Sequence, residues 1–298
     1  MDPLLFAVIG DVHHQIELAA EGLSRIENEL SRPIAQVFSV GDLGLFLDEG
    51  DWQFLTGPKK YRTPEATPRI REAWERWRWN LSMIGGNHEP FNRLRDWDAS
   101  YFGFKLEYTD AGELAHSVPG LRVVGLSGIY HQQEMDFVSE VERKNRKLPR
   151  AESWPEMVGL VKEGKISRER LTYYKEFEVQ HVRRLGYEPH LLLLHDWPMA
   201  PARIAKIYQR RPEAEIVAAR KPKFVCCGHH HTAADFKVGT SRVLALNIVT
   251  TKELFYRHTI CPGWCALFEW DGESLAFLQT WPAGLQTRGR SLFLGFGA

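Results

Sequence analysis

Leu4-Leu5-Phe6-Ala7-Val8-Ile9-Gly10-Asp11-Val12-His13 is the stretch whose reading decides the fold. Six apolar residues in a row, bounded by a turn signal, read as a strand covered on both faces. The run stops at Gly10 and polar residues follow at once. The same construction recurs at 34–40, 81–84, 121–126, 191–194, 224–227 and 242–249. Between these runs lie segments with helical spacing, such as Ile16, Ala19, Leu23, Ile26 and Leu30, or Leu171, Tyr174, Phe177, Val182 and Leu185. Alternating strands and helices predict an α/β layer architecture with functional residues at strand C-terminal ends. Farther on, 264–270 and 274–281 flank Asp271-Gly272, which predicts a β-hairpin at about 264–281 and adds antiparallel character.

What leaves each run is chemically consistent. Asp11-Val12-His13 follows the first, Gly41-Asp42 the second and Gly86-Asn87-His88-Glu89 the third, with His195 and Gly228-His229-His230-His231 after two later ones. Carboxylate, imidazole and amide oxygen are donors for borderline divalent cations. Asp11 and His13, and again His229 and His231, are spaced i and i+2, so each pair shares one face of an extended exit. Asp42 has two oxygens to divide between two cations, Asn87 offers a neutral oxygen, and His88 can stand beside the metals without being a ligand. Taken singly, a strand-terminal Asp is usually a turn residue and a lone His a hydrogen-bonded one. Seven candidates in one consistent order, Asp11, His13, Asp42, Asn87, His195, His229 and His231, outweigh that reading. They predict a site for two divalent transition-metal ions, Mn, Fe, Zn or a mixed pair, of the kind that cleaves phosphoesters. His14, His131 and His230 are read as groups standing behind the ligands, and His116, His181, His190 and His258 as ordinary. Cys261 and Cys265 lack a second Cys/His pair nearby and are read as free thiols.

Bulk composition bounds the partners. The 298 residues are 44% hydrophobic, enough for a substantial core, and are read as one domain over 1–298. Lys plus Arg total 38, as do Asp plus Glu. The chain therefore lacks the basic excess of a general nucleic-acid binder. Local contacts can sit only at 143–150 or around Arg203, Lys206, Arg210, Arg211, Arg220, Lys221 and Lys223, and solvated faces are the plainer reading of both. The N-terminus enters the first strand without a leader-like segment, no apolar stretch is of bilayer length, and four cysteines make no disulfide framework. A cytoplasmic, reducing compartment is expected. The least regular stretch, 131–168, is a candidate lid or recognition segment. Trp74 and Trp77, three apart on an expected helix, are read as core rather than as a platform for bases.

As an ordered set, D-x-H, GD, GNHE, a lone His and GHxH over residues 11–231 resemble the calcineurin-like metallophosphoesterases. That resemblance implies a four-layer α-β-β-α sandwich of two mixed sheets flanked by helices. It also implies Asp11, His13, Asp42 and His231 around one metal, Asp42, Asn87, His195 and His229 around the other, with Asp42 bridging and His88 assisting at the scissile phosphate. Within the superfamily, Ile84-Gly85-Gly86-Asn87-His88-Glu89, Gly125-Leu126-Ser127-Gly128-Ile129-Tyr130, His195-Asp196-Trp197-Pro198 and residues 173–185 resemble RNA lariat debranching enzymes, which hydrolyse 2′-5′ phosphodiesters at branch points. Gly41-Asp42-Leu43-Gly44-Leu45-Phe46 lacks the GDxVDRG pattern of the protein phosphatases, which argues against a phosphoprotein substrate. The resemblance thus implies a phosphodiesterase acting on RNA or nucleotide diesters, with branched RNA as the specific substrate. A general phosphoesterase for small nucleotides is the alternative, in keeping with the neutral charge. A non-catalytic scaffold is disfavoured, because every ligand position and His88 are intact.

Overall fold

Side chains alternate along β1 (Leu4–Ile9), and the alternation sets the layers. In the computed structural model, Phe6 and Val8 enter one core while Leu5, Ala7 and Ile9 enter another. The structure describes residues 2–57, 59, 62–97, 99–103, 105–137, 151–199, 211–254 and 257–281, and for 251–254 and 257–259 the backbone alone. The strands are β1, β2 (Ile34–Ser39), β3 (Leu81–Ile84), β4 (Leu106–Thr109), β5 (Ala111–Glu113), β6 (Val123–Leu126), β7 (Leu191–Leu194), β8 (Phe224–Cys227), β9 (Ala234–Val238), β10 (Ser241–Ala245), β11 (Thr251–Leu254), β12 (Arg257–Ile260), β13 (Cys265–Trp270) and β14 (Leu275–Trp281). They form two six-stranded sheets, ordered β14-β13-β1-β2-β3-β4 and β5-β6-β7-β8-β10-β9, and a β11-β12 ribbon. β1 to β4 run parallel, as do β6, β7, β8 and β10, while β13, β14, β5 and β9 pair antiparallel.

Three buried clusters make the sandwich. Phe6, Val8, Phe38, Val40 and Ile84 of the first sheet meet Val123, Leu191, Leu193, Phe224 and Cys226 of the second. The Phe6 and Phe268 rings stack with centroids 5.3 Å apart, and each such buried aromatic contributes about 2 kcal/mol or more. On the outer face of the first sheet, Leu5, Ala7, Ile9, Val37 and Met83 pack against Leu23 and Ile26 of the helix Ile16–Leu30 and Trp74 of the helix Thr67–Glu75. On the outer face of the second, Val124, Leu126, Leu192, Leu194 and Val225 pack against the helices Glu176–Arg183 and Pro212–Arg220. The layering is α-β-β-α, and the parallel strands of both sheets bring their C-terminal ends to one edge.

Several local expectations need correction. The apolar runs 121–126 and 242–249 contain shorter strands, β6 and β10. The helical spacing over 171–185 spans a 3-10 turn at Arg168–Thr172, a bridge from Tyr173 to Ile129, and a helix that starts only at Glu176. Trp77 and Trp79 lie beyond the helix that ends at Glu75, yet all three tryptophans are buried and pack ring on ring, so the core reading stands on different grounds. Within the stretch read as irregular, Trp154–Lys162 is a helix whose first turn is capped by Ser153 Oγ accepting from the Glu156 N–H. The basic stretch 143–150 lies outside the described residues, as do Arg203, Lys206 and Arg210. Arg211, offered as a surface cation, is instead buried and ion-paired to Asp196 at 2.9 Å. Among the described residues no helix is long and apolar enough to cross a membrane.

Candidate metal centre

The exits of β1, β2 and β3 converge on one carboxylate. Asp42 is buried at φ +53°, and its Oδ1 accepts the backbone N–H groups of Asn87 and His88, each at 2.7 Å. Its main-chain oxygen accepts from Val12 and His13, at 3.0 and 2.7 Å, which ties the β1 exit to the β2 exit. Oδ2 is left facing His13 Nε2 at 3.6 Å and His195 Nε2 at 3.5 Å. Across the sandwich, His195 Nδ1 lies 2.8 Å from the Val40 carbonyl. A carbonyl only accepts, so Nδ1 carries the hydrogen and the Nε2 lone pair points inward. That nitrogen is also 3.0 Å from Asn87 Oδ1.

Asp11 is fully buried. Its Oδ2 accepts from the His229 N–H at 2.8 Å and lies 3.2 Å from His231 Nε2, whereas Oδ1 has no hydrogen-bond partner. Gly228 is required beside it, because a Cβ there would stand 2.1 Å from Asp11 Oδ1. His13, His229 and His231 all adopt positive φ, so these exits are left-handed turns rather than the extended segments expected of them, and His231 turns toward Asp11 and His13 while His229 turns toward His195 and Asp196. Ligand atoms of Asp11, His13, Asp42 and His231 lie within 4.8 Å of one another. Asn87 Oδ1 and Asp42 Oδ2 both face His195 Nε2, at 3.0 and 3.5 Å. His229 meets His195 ring to ring at 5.1 Å and also groups with Asp196 and His230.

Electrostatics favour cations here. Burial works to lower His195, but the Asp42 carboxylate outweighs it and pushes the imidazole up to about 10. Burial alone would raise Asp42, and His195 and His88 pull it well below the usual carboxylate range. Positive charge is therefore favoured between these side chains, and a divalent cation supplies it in place of protons. Burial and neighbouring His195 push His229 down to about 4, and burial also lowers His13, so both are neutral donors at pH 7. A buried carboxylate oxygen with no hydrogen-bond partner, and two imidazole nitrogens only 2.9 Å apart at His13 and His231, make a donor set that fits a divalent cation.

The profile of the calcineurin-like phosphoesterase family matches residues 4–233. The chain belongs to that family. It is a hydrolase acting on phosphoester bonds, in a family that uses divalent metal ions. It is 23% identical to the lariat debranching enzyme of Entamoeba histolytica over 93% of this chain and 78% of that one. Against the lariat debranching enzyme of Mus musculus the identity is 27%, over 64% of this chain and 32% of the mouse protein. The chain thus spans about a third of that longer relative. Among solved structures, a phosphatase from Mycoplasma pneumoniae aligns over 94% of this chain and 92% of its own, at 12% identity and a TM-score of 0.45.

The remaining candidates fall where packing puts them. His88 Nδ1 lies 3.1 Å from the Thr56 carbonyl, and its ring stands 5.2 Å from that of His13. His14 packs on Trp52 and His131 on Tyr173, which gives each an aromatic neighbour rather than a ligand to support. His230 Nε2 lies 3.2 Å from Asp196, a carboxylate also held by Arg211. His116 packs on Phe38 and His190 on Trp270. Cys226, Cys227, Cys261 and Cys265 are free and buried. Glu89 has a role the sequence reading gave it no part in: it is buried, accepts the N–H groups of Leu43 and Gly44 at 2.9 and 3.0 Å, and is raised to about 8 by burial and by Asp42. It fixes the loop that follows Asp42. Its adjacency to His88 was the one signal available.

Proposed function

We propose that the chain acts as a single metallophosphoesterase domain, a dinuclear metal-dependent phosphodiesterase on RNA or nucleotide diesters with 2′-5′ branched RNA as its preferred substrate. The observation that carries the chemistry is the convergence of strand exits from both sheets on Asp42. Asp11, His13, Asp42 and His231 would hold one cation, and Asp42, Asn87, His195 and His229 the other. When bound, such cations polarise phosphoryl oxygens and make water acidic enough to supply a nucleophile at neutral pH. Mn, Fe and Zn all suit these donors.

The chain's own residues prepare the rest. Two backbone N–H groups fix the Asp42 carboxylate in place. The Val40 carbonyl fixes the His195 tautomer. His88, held through Nδ1, presents Nε2 to the substrate; with a second proton on Nε2, the imidazolium form stabilises charge developing on phosphate oxygens and passes that Nε2 proton to the departing alkoxide, returning to the neutral Nδ1–H ring.

The relatives named above support the branched substrate, and so does the placement of two segments that resemble debranching enzymes. The Gly128 N–H donates to the Gly85 carbonyl at 2.8 Å, and Trp197 Nε1 donates to the Gly228 carbonyl at 2.9 Å. Both segments are stitched to ligand-bearing loops, where they can shape the pocket for a branch-point nucleotide. The equal numbers of acidic and basic residues favour the second reading, a phosphoesterase for small nucleotides. Free, buried cysteines support a reducing, cytoplasmic setting. The test is direct: a short synthetic 2′-5′ branched RNA should be cleaved faster than a linear 3′-5′ RNA of equal length. Equal rates would reduce the claim to a general phosphodiesterase, and faster cleavage of monoesters than of any diester would overturn it.

A further inference from the structure

We infer that Thr56 and Gly57 are positioning residues for His88, braced from behind by the helix Trp154–Lys162; the inference rests on the role proposed above for His88. The Thr56 carbonyl accepts from His88 Nδ1, which leaves Nε2 as the nitrogen available to substrate. The Thr56 hydroxyl donates to the Asn87 carbonyl, so one residue grips both Asn87 and His88. Gly57, at φ +95°, backs directly on the imidazole: a Cβ there would lie 3.3 Å from His88 Cε1. From the other side, the Asp42 carboxylate holds the His88 N–H. The backbone of His88 is thus fixed by a metal-ligand carboxylate, and its ring by a loop distant in sequence.

That loop is itself supported. It leaves the 3-10 helix Glu49–Phe54, whose last residue shares a buried cluster with Trp154, Met157, Val158, Ile166 and Leu171. Arg168 Nη1 donates to the Gln53 carbonyl at 2.9 Å. Phe91, three residues after His88, joins the same cluster. The 151–171 segment therefore reaches the reacting histidine through packing and backbone, independently of any contact with the substrate.

Gly57→Ala and Phe54→Leu test this with a small chromogenic diester, too short to touch a recognition segment. Each should lower kcat by about tenfold or more, since small displacements of a catalytic group are costly, with KM and metal content unchanged. In a His88→Ala background the same changes should lower kcat by less than about twofold, because they act through the ring that is gone. Selective ¹⁵N labelling of histidine gives a readout independent of turnover: His88 should show the Nδ1–H tautomer in the parent and a mixture in Gly57→Ala. Equal losses in both backgrounds, loss of metal, or an unchanged tautomer with unchanged kcat would overturn the inference. A His88→Ala protein with parental turnover would instead overturn the proposed role of His88, and the tautomer spectrum would still decide the Thr56 contact.

Discussion

At His88 and Asp42 one truncation separates two kinds of loss. His88 makes its ring contact with Thr56, so His88→Ala should keep its metal while turnover falls by on the order of 10²–10⁴, the usual worth of a general acid. Asp42 organises Asn87, His88, His13 and His195 together, so Asp42→Ala should lose metal and activity alike. Elemental analysis beside steady-state kinetics checks both; equal metal loss in the two variants would reverse the roles. The ligand candidates were legible because their chemistry lies in the side chain, and a side chain is named by its letter. Thr56 was not, because it acts on His88 through a main-chain carbonyl that every residue type possesses. Glu89 was half-legible: its letter shows an acid, but nothing in the letters says that it folds back on the N–H groups of Leu43 and Gly44.

At the scale of elements, two helix starts carry buried acids. Glu178 in the helix Glu176–Arg183 and Glu213 in the helix Pro212–Arg220 are both raised to about 7, chiefly by burial. Between the ordinary carboxylate value and about 7 the folded chain holds more protons at these sites than the unfolded one, so their contribution to stability falls as pH rises through that window. Glu213→Gln removes one such penalty while keeping an acceptor for the Tyr174 hydroxyl, 2.7 Å away. Its advantage over the parent should grow from pH 4.5 to 7 and then level off, reaching on the order of 2–3 kcal/mol. Thermal melts of both proteins across that range check it, and a constant difference would refute the assignment. The elements themselves were legible where burial is complete or nearly so: β1, β3, β7 and β8 fill their expected runs from end to end, with Leu4 at the start of β1 the one partly buried residue. β4 and β5 were missed because each is a short sheet-edge strand with mixed exposure and no apolar run, whereas β9, also at an edge, alternates Ala234, Phe236 and Val238 with exposed Asp235 and Lys237, a period-2 signal that was there to be read.

For the whole molecule, stability and metal are linked. Only the folded chain brings Asp11, His13, Asp42 and His231 together, so ligand binding to the native state alone should raise the melting temperature, and chelation should lower it. A melt unchanged by chelator, together with an absence of bound Mn, Fe, Zn, Ni or Co, would refute the metal centre. The site also straddles the sandwich. Under the proposed ligand set, Asp11, His13, Asp42 and Asn87 hang from the first sheet, and His195, His229 and His231 from the second. A cation bound there rivets two layers that otherwise meet through apolar side chains and a few hydrogen bonds at the strand exits. No nascent chain can close that rivet before residue 231 has left the ribosome, which makes metal loading a late event in the life of each molecule and a mark that both layers have docked.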